Sequence, residues 1–144
     1  MPVRTPCIGV CSTTYGDLVC RGCKRFAHEI VEWNGYSDDQ RLLIRDRLER
    51  LKWESARLSI RVDDRVEVAR TAMALRISLD QPIELVAFEI LKKTGMNPSL
   101  LGIATLPDGG NASPTDFVRS VEGEFLRRSE AHYEHAFRTR LRPW

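Results

Sequence analysis

Cys7-Ile8-Gly9-Val10-Cys11 and Cys20-Arg21-Gly22-Cys23 carry every cysteine of the chain, in the spacing C-x3-C-x8-C-x2-C. Four thiolates make a full tetrahedral shell for one Zn²⁺ or a full ligand set for an iron–sulfur cluster. Within each pair a short loop can turn both sulfurs toward one centre, and Gly22 relieves the backbone of the second pair. A segment this small holds its shape poorly without a staple. Cys7, Cys11, Cys20 and Cys23 are therefore the candidate metal ligands. The eight-residue gap is shorter than that of most zinc ribbons and matches no common ferredoxin spacing, so Zn²⁺ and an iron–sulfur cluster both stay open. The rivals are free thiols or two disulfides, and a redox-active pair at Cys20 and Cys23, which lacks the surrounding βαβ pattern.

Moving outward, Ser12 to Asp17 has turn composition between the apolar pieces Ile8/Val10 and Leu18/Val19, which suggests a small irregular hairpin. A short helix is expected from about Cys23 to Trp33, with Phe26, Ile30 and Trp33 on one face. That would place Cys23 at a helix N-terminus, where the dipole favours a thiolate, with Lys24 and Arg25 adding positive charge. Ser37-Asp38-Asp39-Gln40 reads as a capping box opening a helix to about Ala56 or Leu58, its buried stripe being Leu43 or Ile44, Leu48 and Leu51.

Residues 59–68 alternate around Asp63-Asp64. They read as a hairpin or, the preferred reading, as a short extended stretch before a helix over 64–76 capped by Asp63. Asp80-Gln81-Pro82 opens a helix carrying Ile83, Val86, Ala87, Ile90 and Leu91, which stops at Gly95. Asn97-Pro98-Ser99 opens a single turn through Leu101, and 105–113 reads as a linker or exposed loop. Ser113 caps a long C-terminal helix. Its row Phe117, Val121, Phe125, Tyr133, Phe137, Leu141 winds by about 40° with each step of four, so no single face stays buried. The helix either projects its second half or breaks near Arg127-Arg128-Ser129.

The expected fold is mainly α. A four-cysteine metal-stapled module, a short hairpin plus helices, covers residues 1–58; a small helical or α+β region covers 59–113; a C-terminal helix covers 114–144.

A chain of 144 residues with 42% hydrophobic and 29% charged residues is ordinary for a globular protein and excludes wholesale disorder. The net charge of +2 is too small to predict a nucleic-acid partner. No apolar run reaches the roughly 20 residues a membrane helix needs, and no signal-peptide core is present, so the expected location is the cytoplasm. In that reducing setting, clustered cysteines are metal ligands or redox groups more often than disulfides.

Pro6-Cys7-Ile8-Gly9-Val10-Cys11, Cys20-Arg21-Gly22-Cys23-Lys24-Arg25, Glu29-Ile30-Val31-Glu32-Trp33, and Ser37-Asp38 with Arg41 together resemble the bacterial DUF1289 family. Its pattern runs S-P-C-I-G-V-C, C-R-G-C-x-R, D-E-I-x-x-W and L-S-D-x-E-R. Thr5, His28 and Tyr36 depart from it without touching a candidate ligand. The likeness covers residues 5–50. It implies an iron–sulfur label that itself rests on the cysteines, and an unknown biochemical role.

Other groups read as structural first. His28, five residues past Cys23, is either an exposed helix residue or a neighbour of the metal site. His132 and His135 flank Glu134 in the C-terminal helix without a matching ligand cluster. Asp38/Asp39 and Asp63/Asp64 fit caps and turns better than catalytic dyads. No phosphate loop, nucleophile elbow or HExxH is present, so no enzyme is expected. Arg21, Lys24, Arg25, Arg41, Arg45, Arg47, Arg50 and Lys52 are interleaved with Tyr15, Phe26, Trp33 and Trp53. That suits nucleic acid, but Glu29, Glu32, Asp46, Glu49 and Glu54 dilute the charge.

Three functions follow: a metal-stapled adaptor for a protein partner, an iron–sulfur electron carrier or oxidant sensor, and a nucleic-acid-binding zinc module.

Overall fold

The computed structural model describes residues 3–9, 11–105 and 113–138. It is mainly helical. The chain divides into two compact units: residues up to 51 together with those from 125 onward, and residues 52–124. The boundaries fall inside two 20-residue helices, α2 (Asp38–Arg57) and α5 (Pro114–Tyr133).

In the first unit, Ser12–Tyr15 forms a 3₁₀ turn. An antiparallel bridge between Val19 and Phe26 closes a short N-terminal hairpin around residues 20–25, further along the chain than the Ser12–Asp17 turn where the sequence placed it. Helix α1 is Ala27–Glu32, starting later than the Cys23 expected from sequence. The reason is local: Cys20 N–H bonds to Arg25 C=O at 2.9 Å, Lys24 N–H bonds to Cys20 C=O at 2.8 Å, and Lys24 is left-handed at φ 65°. A backbone folded back on itself cannot also start a helix. Cys23 therefore gains nothing from a helix dipole.

The α1 N-terminus is closed by Glu29, whose carboxylate accepts the Phe26 N–H at 2.8 Å. A 3₁₀ turn, Trp33–Gly35, follows. The capping box is then formed as read: Ser37 N–H donates to Gln40 Oε1 at 2.9 Å and Gln40 N–H to Ser37 Oγ at 3.2 Å. Helix α2 buries Ile44, Leu48 and Leu51 with Trp33 and Phe125, while Leu43 faces solvent. A π-helical turn, Glu134–Arg138, extends α5.

In the second unit, strand β1 (Ile60–Val62) pairs with strand β2 (Ile103–Thr105) in antiparallel register, Arg61 opposite Ala104. The extended stretch before a helix is thus present. Its partner comes from 103–105, where no strand was expected, and there is no local hairpin around Asp63-Asp64. Helix α3 (Arg65–Ala74) is capped by Asp64, which accepts the Glu67 N–H at 3.0 Å. Asp63, the expected cap, instead accepts from Arg61 Nε at 2.8 Å. Helix α4 (Ile83–Thr94) ends at left-handed Gly95, and Asn97 caps the 3₁₀ turn Pro98–Leu101.

Val68, Ala72, Leu85, Val86, Phe88, Ile90, Leu91 and Ile103 pack the core of this unit with Phe117 and Val121. Each large side chain so buried contributes about 1.5–3 kcal/mol. Helix α5, capped by Ser113 Oγ at 3.1 Å from Asp116 N, passes Arg127-Arg128-Ser129 unbroken. Its winding row is accounted for residue by residue. Phe117 and Val121 serve one core, Phe125 the other. Leu141 and most of the 105–113 loop lie outside the described residues.

Candidate metal centre

The two cysteine pairs differ in setting. Cys20 and Cys23 are buried, Cys11 is half-buried and Cys7 is exposed, and none of the four is in a disulfide. Gly9 N–H donates to Cys7 Sγ at 3.3 Å, two residues on.

Burial works to raise the Cys20 thiol. The amides of Cys23, Ser12 and Gly22 and the Cys23 thiol overcome it and bring it down to about 7. The Thr13 hydroxyl, 2.9 Å from Cys11 Sγ, holds that thiol below its ordinary value. Burial pushes Cys23 up, against the opposing pull of Arg25. The loops are tied together where Arg21 N–H donates to Ser12 Oγ at 2.8 Å.

Two cations are buried beside the sulfurs. Lys24 and Arg25 are each only 3% exposed. Lys24 Nζ donates to Gly22 C=O at 3.0 Å and lies 5.1 Å from the Phe125 ring centre. Arg25 Nε donates to Cys23 Sγ at 3.3 Å, its guanidinium lying 4.9 Å from the Trp33 ring centre. The end of α5 and the π-helical turn after it cover this segment: Tyr133 and Phe137 set their rings edge-on to Phe26 at 5.1 and 5.7 Å. A groove of about 320 Å³ runs between Asp17, Leu18 and Arg21 on the loop and Leu126, Glu130 and Tyr133 on α5.

Among the described residues, no three His, Cys, Asp or Glu side chains stand together as a finished cage. The donor set nevertheless fits a thiophilic metal in kind. It offers four sulfurs outside any disulfide, a backbone N–H on the Cys7 sulfur and a guanidinium on the Cys23 sulfur. Cys20 and Cys23 would supply two ligands from the buried loop, Cys7 and Cys11 the other two.

The remaining candidates go elsewhere. His28 rests on Phe137 at 5.2 Å, and His132 lies edge-on to Phe26. His135 is exposed. Asp38 pairs with Arg41 at 3.2 Å. The basic residues of α2 alternate with Asp46, Glu49 and Glu54 as the sequence implied.

Residues 5–56 match the family model DUF1289, a protein of unknown function. No curated protein and no solved structure matches the chain. The DUF1289 segment contains all four cysteines, Lys24, Arg25 and the Glu29–Arg47 pair. The α5 residues that cover Phe26 lie outside the DUF1289 segment. No helix among the described residues is long and apolar enough to cross a membrane.

Proposed function

We propose that this protein is a small metal-binding protein in which Cys7, Cys11, Cys20 and Cys23 hold an iron–sulfur cluster or Zn²⁺. The helical remainder then presents a surface to a protein partner. One observation carries the metal reading: all four cysteines lie outside disulfides in two close pairs, with an N–H donated at 3.3 Å to the Cys7 sulfur and another to the Cys23 sulfur. A thiolate that ligates a metal accepts hydrogen bonds of this kind. Four thiols outside any disulfide also suit a reducing compartment such as the cytoplasm. Bound iron–sulfur would add electron transfer or oxidant sensing; bound zinc would staple the segment for an adaptor role.

The test is elemental analysis with a visible spectrum, on protein purified without oxygen. Brown protein with iron and sulfide supports the redox role. Colourless protein with one zinc supports the staple. Protein carrying neither, and taking up neither on reconstitution, overturns the reading.

A further inference from the structure

We propose that Arg25 is a positioning residue of the metal centre, its guanidinium fixing the Cys23 sulfur and offsetting the charge of the ligands. This rests on the metal reading above. A guanidinium stays charged at any physiological pH, and burying it without an anion costs several kcal/mol. Arg25 is nonetheless buried, and it aims Nε at Cys23 Sγ from 3.3 Å. By simple count, a divalent ion held by four thiolates carries −2, which is the counter-charge such a buried cation needs.

Stacking on Trp33 does not by itself explain the residue. Arg41 also lies on that ring, at 5.8 Å, while donating to the Trp33 and Asn34 carbonyls at the surface end. Arg25 is the arginine turned inward to sulfur. Outer groups that hold a ligand typically change metal affinity by about 10–100-fold when removed.

The experiment titrates metal-free full-length protein with Co²⁺ under argon. It reads the thiolate-to-cobalt absorption and then the competition with a chelator. Arg25→Met is expected to bind Co²⁺ about 10–100-fold more weakly with a shifted charge-transfer band. Arg25→Lys should fall between Met and wild type, because it keeps the charge and loses the fixed N–H. Arg21→Met, exposed on the same loop, is expected to match wild type.

Equal affinity and an unchanged band in Arg25→Met would overturn the role of Arg25 while leaving the metal reading intact. Wild-type protein that takes no Co²⁺ would overturn the metal reading and this one with it. Should Arg25→Met fail to fold, Arg25→Gln against Arg25→Lys decides: weaker binding in Gln supports the assignment, and equal binding removes it.

Discussion

Arg47 holds the carboxylate of Glu29 with both terminal nitrogens, Nη1 to Oε2 and Nη2 to Oε1, each at 2.6 Å. The same carboxylate accepts the Phe26 N–H, and the Arg47 guanidinium lies 4.1 Å from the Phe26 ring centre. One ion pair thus ties the start of α1 to α2 and to the residue that ends the cysteine loop. With Glu29 and Arg47 side chains only 6% and 16% exposed, removing one partner strands the other's charge.

Glu29→Leu and Arg47→Met should each destabilise the protein by about 3–5 kcal/mol. The double replacement Glu29→Leu with Arg47→Met should cost less than the sum of the two single changes. A denaturant double-mutant cycle reads this. Strictly additive losses would show that the two residues act independently.

Metal removal should loosen the cysteine segment first. Cys7→Ser and Cys23→Ser are each expected to lose the metal and to unfold residues 1–36. Metal analysis combined with limited proteolysis checks this, the new cuts falling within the segment. Unchanged metal content and an unchanged melt would refute it.

Gly102 is held by both backbone and space. It is left-handed at φ 72°, and an added Cβ would lie 2.5 Å from the Asp64 Cβ. Its carbonyl also accepts the N–H groups of Asp63 and Asp64, at 2.9 and 3.1 Å. Gly102→Ala is expected to cost about 2 kcal/mol or more, from the left-handed strain and the clash together. A thermal melt of the purified variant measures it.

Asp64 and Asp63 are neighbours with separate duties. Asp64→Ala removes the α3 cap and should cost about 1 kcal/mol. Asp63→Ala removes an exposed pair with Arg61 and should cost clearly less than loss of the cap. Equal losses in chemical denaturation would contradict the assignment of the cap.

His132 should make stability fall in mild acid. Burial, then the charges of Arg47, Arg50 and His135, hold it below its ordinary value of 6.5, with Glu29 opposing. The unfolded chain therefore takes up this proton first. The contribution is intact above about pH 6.5 and is lost as pH falls toward the folded value. An NMR titration should show the His132 ring titrating below a free histidine, and His132→Phe should lessen the drop in melting temperature between pH 7.5 and 5.5.

Much of this was legible in the chain itself. Local chemistry was read well where neighbours in sequence satisfy each other: the Ser37/Gln40 box, the Gly95 stop, the Asn97 turn and the Ser113 cap all form. The misreadings came where the backbone makes bonds that the side-chain pattern does not show. Cys20–Arg25 folds back through its own carbonyls, which displaced the α1 start from Cys23 to Ala27. β1 found its partner more than 40 residues away at Ile103–Thr105, a pairing that three-residue strands do not announce in their pattern. Glu29 and Arg47 looked like solvated members of mixed faces, since nothing in their spacing shows that they are buried together. Arg25 was visible only as local positive charge; a cation directly after a cysteine pair was the available hint, and burial gave it meaning.

The cysteine segment is synthesised well before the side chains that complete it. Phe125 against Lys24, and Tyr133 and Phe137 against Phe26, come from far downstream in the chain. Residues 52–124 supply a core of their own in the interval, so they can fold as a unit during translation while the thiols wait. A chain stopped short of residue 125 would lack the rings that cover Lys24 and Phe26, the residues beside its second cysteine pair.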